Sequence, residues 1–280
     1  MKTEDKRQKL IECFEDTLKK SQNELRDISE LSAMTSKVYK ENFHCDNIKK
    51  KNALNALSDY DDKNKIIVCK DTSFEAAEKY IKFGRTAVLN FANPHNPGGG
   101  VKNGAVAQEE CLCRSSNLYF CLSGKNVYDD YYLFNKKSGF NNYLFSDRLI
   151  YTKDIVVFKD DGLIPRELPE NKRFAVDVIT SAAPYVIPLV YIDEYKLKNT
   201  FKNRITNIFE SAIDNEVYVL ILGAFGCGAF GNPPDTVARA FKEAIEENEY
   251  FKYFKKIVFA IKAETIRGKE NLLAFQNEFK

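Results

Sequence analysis

In KIIVCKDTSFEAAEKYIKFGRTAVLNFA, residues 65–92, two apolar runs flank a helical pattern. KIIVC (65–69) and TAVLNFA (86–92) lack the polar alternation of a half-exposed strand, so both read as strands buried on two faces. A strand, a helix and another strand form the unit of a parallel or mixed sheet covered by helices. The alternation continues through DIVVF (154–158), FAVDVIT (174–180), a helical stretch from about Asp193 to Asp214, VYVLILG (217–223), DTVARAFKEAIEEN and KIVFAI (256–261). The expected fold is a three-layer α/β/α sandwich with a mixed sheet. Ligands on such sheets bind where loops leave the strand ends, which directs attention to the loops after VLNFA, VDVIT and VLILG.

Upstream, residues 1–60 read as helical and charged: in DKRQKLIECFEDTLKK the apolar Leu10, Ile11, Phe14 and Leu18 recur at helical spacing. They form an accessory helical region ahead of a catalytic domain over 61–280. The 42 basic and 40 acidic residues nearly cancel, so the charge gives no argument for general nucleic-acid or membrane-surface binding. MKTEDKRQKL has no apolar core of a secretory signal, and no run approaches the ~20 apolar residues of a membrane span. Seven scattered cysteines without a CxxC pair fit reduced thiols, which places the protein in the cytoplasm. With only His44 and His95 as imidazole ligands, neither metal nor cofactor is expected. The aromatic-dense stretch at 119–151 has two readings: rings that stack nucleobases, or a satellite core over one sheet edge, which is the commoner use of such rings.

Two loops carry the chemistry. GCGAFG (226–231) matches GxGxxG after a strong strand, but too little chain follows for a doubly wound dinucleotide domain, and Gly-Asn-Pro-Pro delays the next helix. Its small residues still expose consecutive backbone N–H groups that can cradle a diphosphate, with Phe230 placed against a sugar or base. In NPHNPGGGVKNGAVAQEEC (93–111), Gly98, Gly99 and Gly100 permit close backbone approach, and a helix starting near Ala105 puts Gln108, Glu109 and Glu110 in its first turns. Acidic residues there are often no more than a response to the helix dipole. The triple glycine and the second cradle argue for more: cleavage of a bond in a nucleotide-sugar-like ligand. Neighbouring helical residues point about 100° apart, so the two carboxylates cannot straddle a sugar ring; one is the acid/base and the other binds a hydroxyl.

NPGGG followed after seven residues by QEE resembles the signature of bacterial-type poly(ADP-ribose) glycohydrolases, which are divergent macrodomains. VLNFANPHNPGGG, AQEECLCRSSNLY, VDVITSAAP and LGAFGCGAFGNPP are similar to that family's blocks in the same order, across about residues 65–262. The resemblance implies a macrodomain-like fold and metal-independent hydrolysis of the ribose–ribose O-glycosidic bond of poly(ADP-ribose), with ADP-ribose as product. It implies Glu110 as acid/base and Glu109 as holder of the leaving ribose. Gly98 to Gly100, Gln108 and the loop Gly226, Cys227, Gly228, Ala229 and Phe230 would bind substrate, and Asp71 would contact adenine. Where the family pattern has AAPN, this chain has Ala182, Ala183, Pro184 and Tyr185. Three alternatives stay open: a mono-ADP-ribosyl hydrolase acting on ADP-ribosylated macromolecules, a non-catalytic ADP-ribose reader, and a nicotinamide-dependent oxidoreductase. His95 is left out of the chemistry.

Overall fold

The computed structural model describes residues 3–137, 143–186 and 192–280, so positions 138–142 of the aromatic stretch lie outside it. The strands are β1 (Lys37–Tyr39), β2 (Ile66–Cys69), β3 (Thr86–Phe91), β4 (Leu149–Val157), β5 (Phe174–Ser181), β6 (Val219–Leu222) and β7 (Lys256–Ala260). They make one sheet in the order β1-β4-β5-β3-β6-β7-β2. The five strands from β5 to β2 run parallel, and at one edge β4 pairs antiparallel with β5 and β1 antiparallel with β4. The mixed α/β architecture read from the strand–helix alternation is therefore the one adopted.

Helices α1 (Thr3–Gln22), α2 (Arg26–Thr35), α3 (Asn47–Ala56), α4 (Ser73–Tyr80), α5 (Gln108–Ser115), α6 (Leu118–Leu122), α7 (Lys125–Val127) and α8 (Phe134–Lys137) come before β4, with a π-helical turn at Tyr128–Leu133. After β5 come α9 (Glu194–Asp214), α10 (Pro234–Glu247) and α11 (Ile266–Glu278). The side-chain alternation of the strands sorts the core into two halves. Ala87, Leu89, Leu220 and Phe259 pack with Phe209, Phe241 and Phe275 of α9, α10 and α11. Val88, Ile221 and Val258 face the other way, against Phe14, Ala77, Leu112 and Leu118 of α1, α4, α5 and α6. The central strands β3, β6 and β7 thus lose water on both faces, which is why their runs are largely apolar, whereas KIIVC, expected to be buried on both faces, is only partly buried because β2 is an edge strand.

Two differences from the sequence reading have plain causes. The first 60 residues are not wholly helical: Lys37–Tyr39 pairs with β4 as an edge strand, too short to leave a periodic signal. β4 begins at Leu149 rather than Asp154 because its first half falls within the aromatic stretch, and its register shifts between Thr152 and Ile155.

Arg204 of α9 is fully buried and fastens the chain near the open end of the sheet. Its guanidinium donates to the carbonyls of Ala182 (2.5 Å) and Leu144 (2.8 Å) and pairs with Asp147 at 2.9 Å. Arg204→Ala leaves these acceptors without a donor and is expected to cost about 3 kcal/mol in denaturant unfolding.

Candidate active site

Loops from the carboxyl ends of all five parallel strands converge on one cavity of about 550 Å³. Asn93 comes from the loop after β3, Ala183 from that after β5, Gly226 to Phe230 from that after β6, Lys262 from that after β7, and Asp71 from that after β2. The size suits a nucleotide-bearing ligand. Given the strand order, Asp71 lies towards the β2 edge, and the segments after β3 and β5 lie towards the other.

α5 starts at Gln108, three residues later than its pattern suggests, because Val101–Asn103 forms a 3₁₀ turn closed by left-handed Gly104. Gln108, Glu109 and Glu110 are therefore its first three residues. Gln108 works as a pin: its side chain donates to the Leu89 carbonyl (2.8 Å) and Ser73 (3.0 Å) and accepts from the Phe91 amide (2.9 Å). It ties the helix start to the end of β3. Glu109 accepts from the Asn93 amide at 2.7 Å and from the Asn90 side chain at 3.3 Å. Glu110 accepts from the Gly100 amide at 2.8 Å through Oε1, while its Oε2 has no partner among the described residues.

Both carboxyl groups are buried and both line the cavity. Burial pushes the Glu109 carboxyl up to about 8, with the Glu110 charge adding to the effect and hydrogen bonds from Asn93 and Asn90 opposing it. At neutral pH it is therefore mainly a neutral acid. The unfolded chain loses this proton near 4.5 and the folded chain near 8, so the stabilisation present at low pH is lost as pH rises through that interval. Glu109→Gln removes this dependence. Its melting temperature relative to the parent is expected to climb between pH 5 and 8 and level off above, as read by thermal melts across pH.

The triple glycine stands behind the carboxylates and is absent from the cavity wall. Gly98 and Gly99 have positive φ, and a Cβ on Gly99 would lie 2.4 Å from Glu110 Oε1. In the second loop, Gly226 also has positive φ, and a Cβ there would meet Ala183 at 2.4 Å. Among the described residues, the amides of Gly228, Ala229 and Phe230 donate no hydrogen bond, and Gly228 has open space at its Cβ position. Three consecutive free donors are an anion cradle. Cys227 differs from its neighbours: its side chain is buried in the core, and its carbonyl accepts from Arg267 at 2.6 Å. Asp71 lines the cavity and pairs with Lys79.

Sequence reasoning missed Asn90, Asn93, Asp161, Lys262 and Asn271. Asn90 could have been found, since it interrupts an otherwise apolar buried strand. The others reach the cavity through loops or through α11, with no local pattern to mark them.

A family described as the microbial-type PARG catalytic domain matches residues 8–160. The poly(ADP-ribose) glycohydrolase (PARG) of Deinococcus radiodurans in complex with ADP-ribose is 31% identical, with a TM-score of 0.74 over 90% of this chain and 97% of that one. The Thermomonospora curvata enzyme is 29% identical, with a TM-score of 0.73 over 91% and 89% of the two chains. The same enzyme bound to the inhibitor ADP-HPD gives a TM-score of 0.72 at 29% identity, again over 91% and 89%. No curated protein sequence matches. With the family match spanning over half the chain and the fold shared nearly end to end, this protein belongs to the microbial-type poly(ADP-ribose) glycohydrolases.

Proposed function

We propose that the protein hydrolyses the ribose–ribose O-glycosidic bond of poly(ADP-ribose), releasing ADP-ribose, with Glu110 as the acid/base. The observation that carries this reading is the asymmetry of the carboxyl pair. Glu109 is held through both of its oxygens, whereas Glu110, which lines the cavity, is held through Oε1 alone, and its buried Oε2 has no partner among the described residues. A group that must pass a proton to a leaving oxygen needs a fixed position and one free oxygen.

In this reading the free amides of Gly228 to Phe230 bind the diphosphate, and Phe230 packs against the distal ribose. Asp71 reaches the adenosine end. Glu110 protonates the departing ribose oxygen as positive charge develops at the anomeric carbon, then takes a proton from the attacking water. Glu109, mainly neutral, holds a hydroxyl of the leaving ribose without adding a second full negative charge beside the acid/base. Gln108 positions the helix start and leaves the chemistry to its neighbours.

The five-loop cavity and the charged face of the reaction sit in a chain with no described helix long and apolar enough to cross a membrane. A cytoplasmic location is part of the proposal, supported by seven free thiols. The direct test is to incubate the purified protein with poly(ADP-ribose) and identify the products. Free ADP-ribose accumulating from the polymer is the expected result, and an intact polymer would refute the reading.

A further inference from the structure

Phe230, at the cavity wall, is the centre of a chain of five partly exposed rings. Phe230, which lines the cavity with Glu110, packs against Tyr185 at 5.3 Å and Phe145 at 6.3 Å between ring centroids. Tyr185 continues to Tyr143 at 6.2 Å, and Phe145 to His95 at 5.5 Å. Rings gathered only to build a core would be buried, as Tyr131 and Tyr132 are elsewhere in the same aromatic stretch. Tyr185 is instead 36% exposed. It is also the residue at which this chain leaves the AAPN pattern of the family it resembles.

The backbone is committed to presenting this row. Phe145 has φ +59°, an uncommon conformation for a bulky side chain, which persists only where its surroundings enforce it. Arg204 supplies that enforcement by gripping the Leu144 carbonyl and Asp147 on either side. The Tyr185 amide donates to Tyr143 at 2.7 Å and the Val186 amide to Phe230 at 2.8 Å, so three loops hold the rings in one place. Burial lowers the His95 pKa from its ordinary value, which favours the neutral imidazole at the end of the row.

We infer that this row is a stacking shelf for the adenine of the leaving unit, the polymer residue whose ribose departs when the bond is cut. The inference rests on the proposed hydrolysis and names the partner on its leaving side. In poly(ADP-ribose) the leaving oxygen is attached to an adenosine ribose, and the base sits on the neighbouring carbon. An adenine tied so closely to the bond at Glu110 must come to rest beside the distal ribose, where Phe230 and Tyr185 stand. Stacking on aromatic rings is the ordinary way proteins hold a base without reading its edges. The shelf makes the protein a reader of two consecutive units.

The test compares binding of ADP-ribose and of an ADP-ribose dimer by calorimetry, in the Glu110→Gln background so that nothing is cleaved. The dimer is expected to bind more tightly than ADP-ribose. Adding Tyr185→Ala is expected to weaken dimer binding about tenfold while ADP-ribose affinity stays unchanged, and Tyr185→Phe is expected to restore the difference. Equal affinity for the two ligands, or an equal loss for both in Tyr185→Ala, would overturn the shelf. Because the comparison needs no turnover, it is independent of whether the parent protein cleaves polymer, which the product assay decides separately.

Discussion

Glu110→Gln is expected to lower polymer hydrolysis by roughly 10²- to 10⁴-fold, the usual contribution of a positioned acid/base, while ADP-ribose still binds. The amide has nearly the shape of the carboxylate, and its oxygen can still accept from the Gly100 amide, so the helix start is preserved. What disappears is the proton that Glu110 would pass to the leaving oxygen. A fall in turnover with unchanged ADP-ribose affinity is the signature of an interaction made in the transition state. Steady-state rates on polymer and calorimetry with ADP-ribose measure the two quantities, and turnover close to the parent's would remove Glu110 from its role.

Gly99→Ala is expected to cost at least about 10²-fold in the same assay, a typical penalty for displacing a reacting group by about an ångström. The methyl would enter at 2.4 Å from Glu110 Oε1 and 3.1 Å from Glu109 Oε2, from a backbone with φ +56° that disfavours any side chain. The loop and the carboxylate cannot both stay. Gly228→Ala is the matched control: its Cβ would meet nothing within 4 Å, so the fold and the carboxylates are undisturbed. Any loss in that control would be an effect on ligand binding in the cradle rather than on the acid/base.

The layers, the parallel core of the sheet and the two chemical loops were legible in the sequence because each has a local cause. Buried strands are uniformly apolar, small residues mark close approach, and helix starts collect acidic residues. The position of the triple glycine was not legible. Close approach was expected towards the ligand, whereas Gly98 makes room for Tyr119, Gly99 for the two carboxylates and Gly100 for Ala105, and only the folded loop shows which neighbour each touches. The aromatic stretch was legible only as a mixture. Tyr131 and Tyr132 went to the core while Tyr143 and Phe145 stayed at the surface, a division made by Arg204 and by contacts far away in sequence.

The convergence of five loops also sets when the site can exist during folding. Ile66 lies opposite Ile257 in the pairing of β2 with β7, a contact between residues 191 positions apart. Contacts at such separation are slow to form, because loop-closure entropy must be met before they stabilise anything. Asp71 joins the cavity only once that pairing is made, so a partly folded chain offers a nucleotide an incomplete grip. A ligand spanning the whole cavity would therefore stabilise the complete native sheet, and its binding energy would appear as resistance to global unfolding rather than as the ordering of one loop.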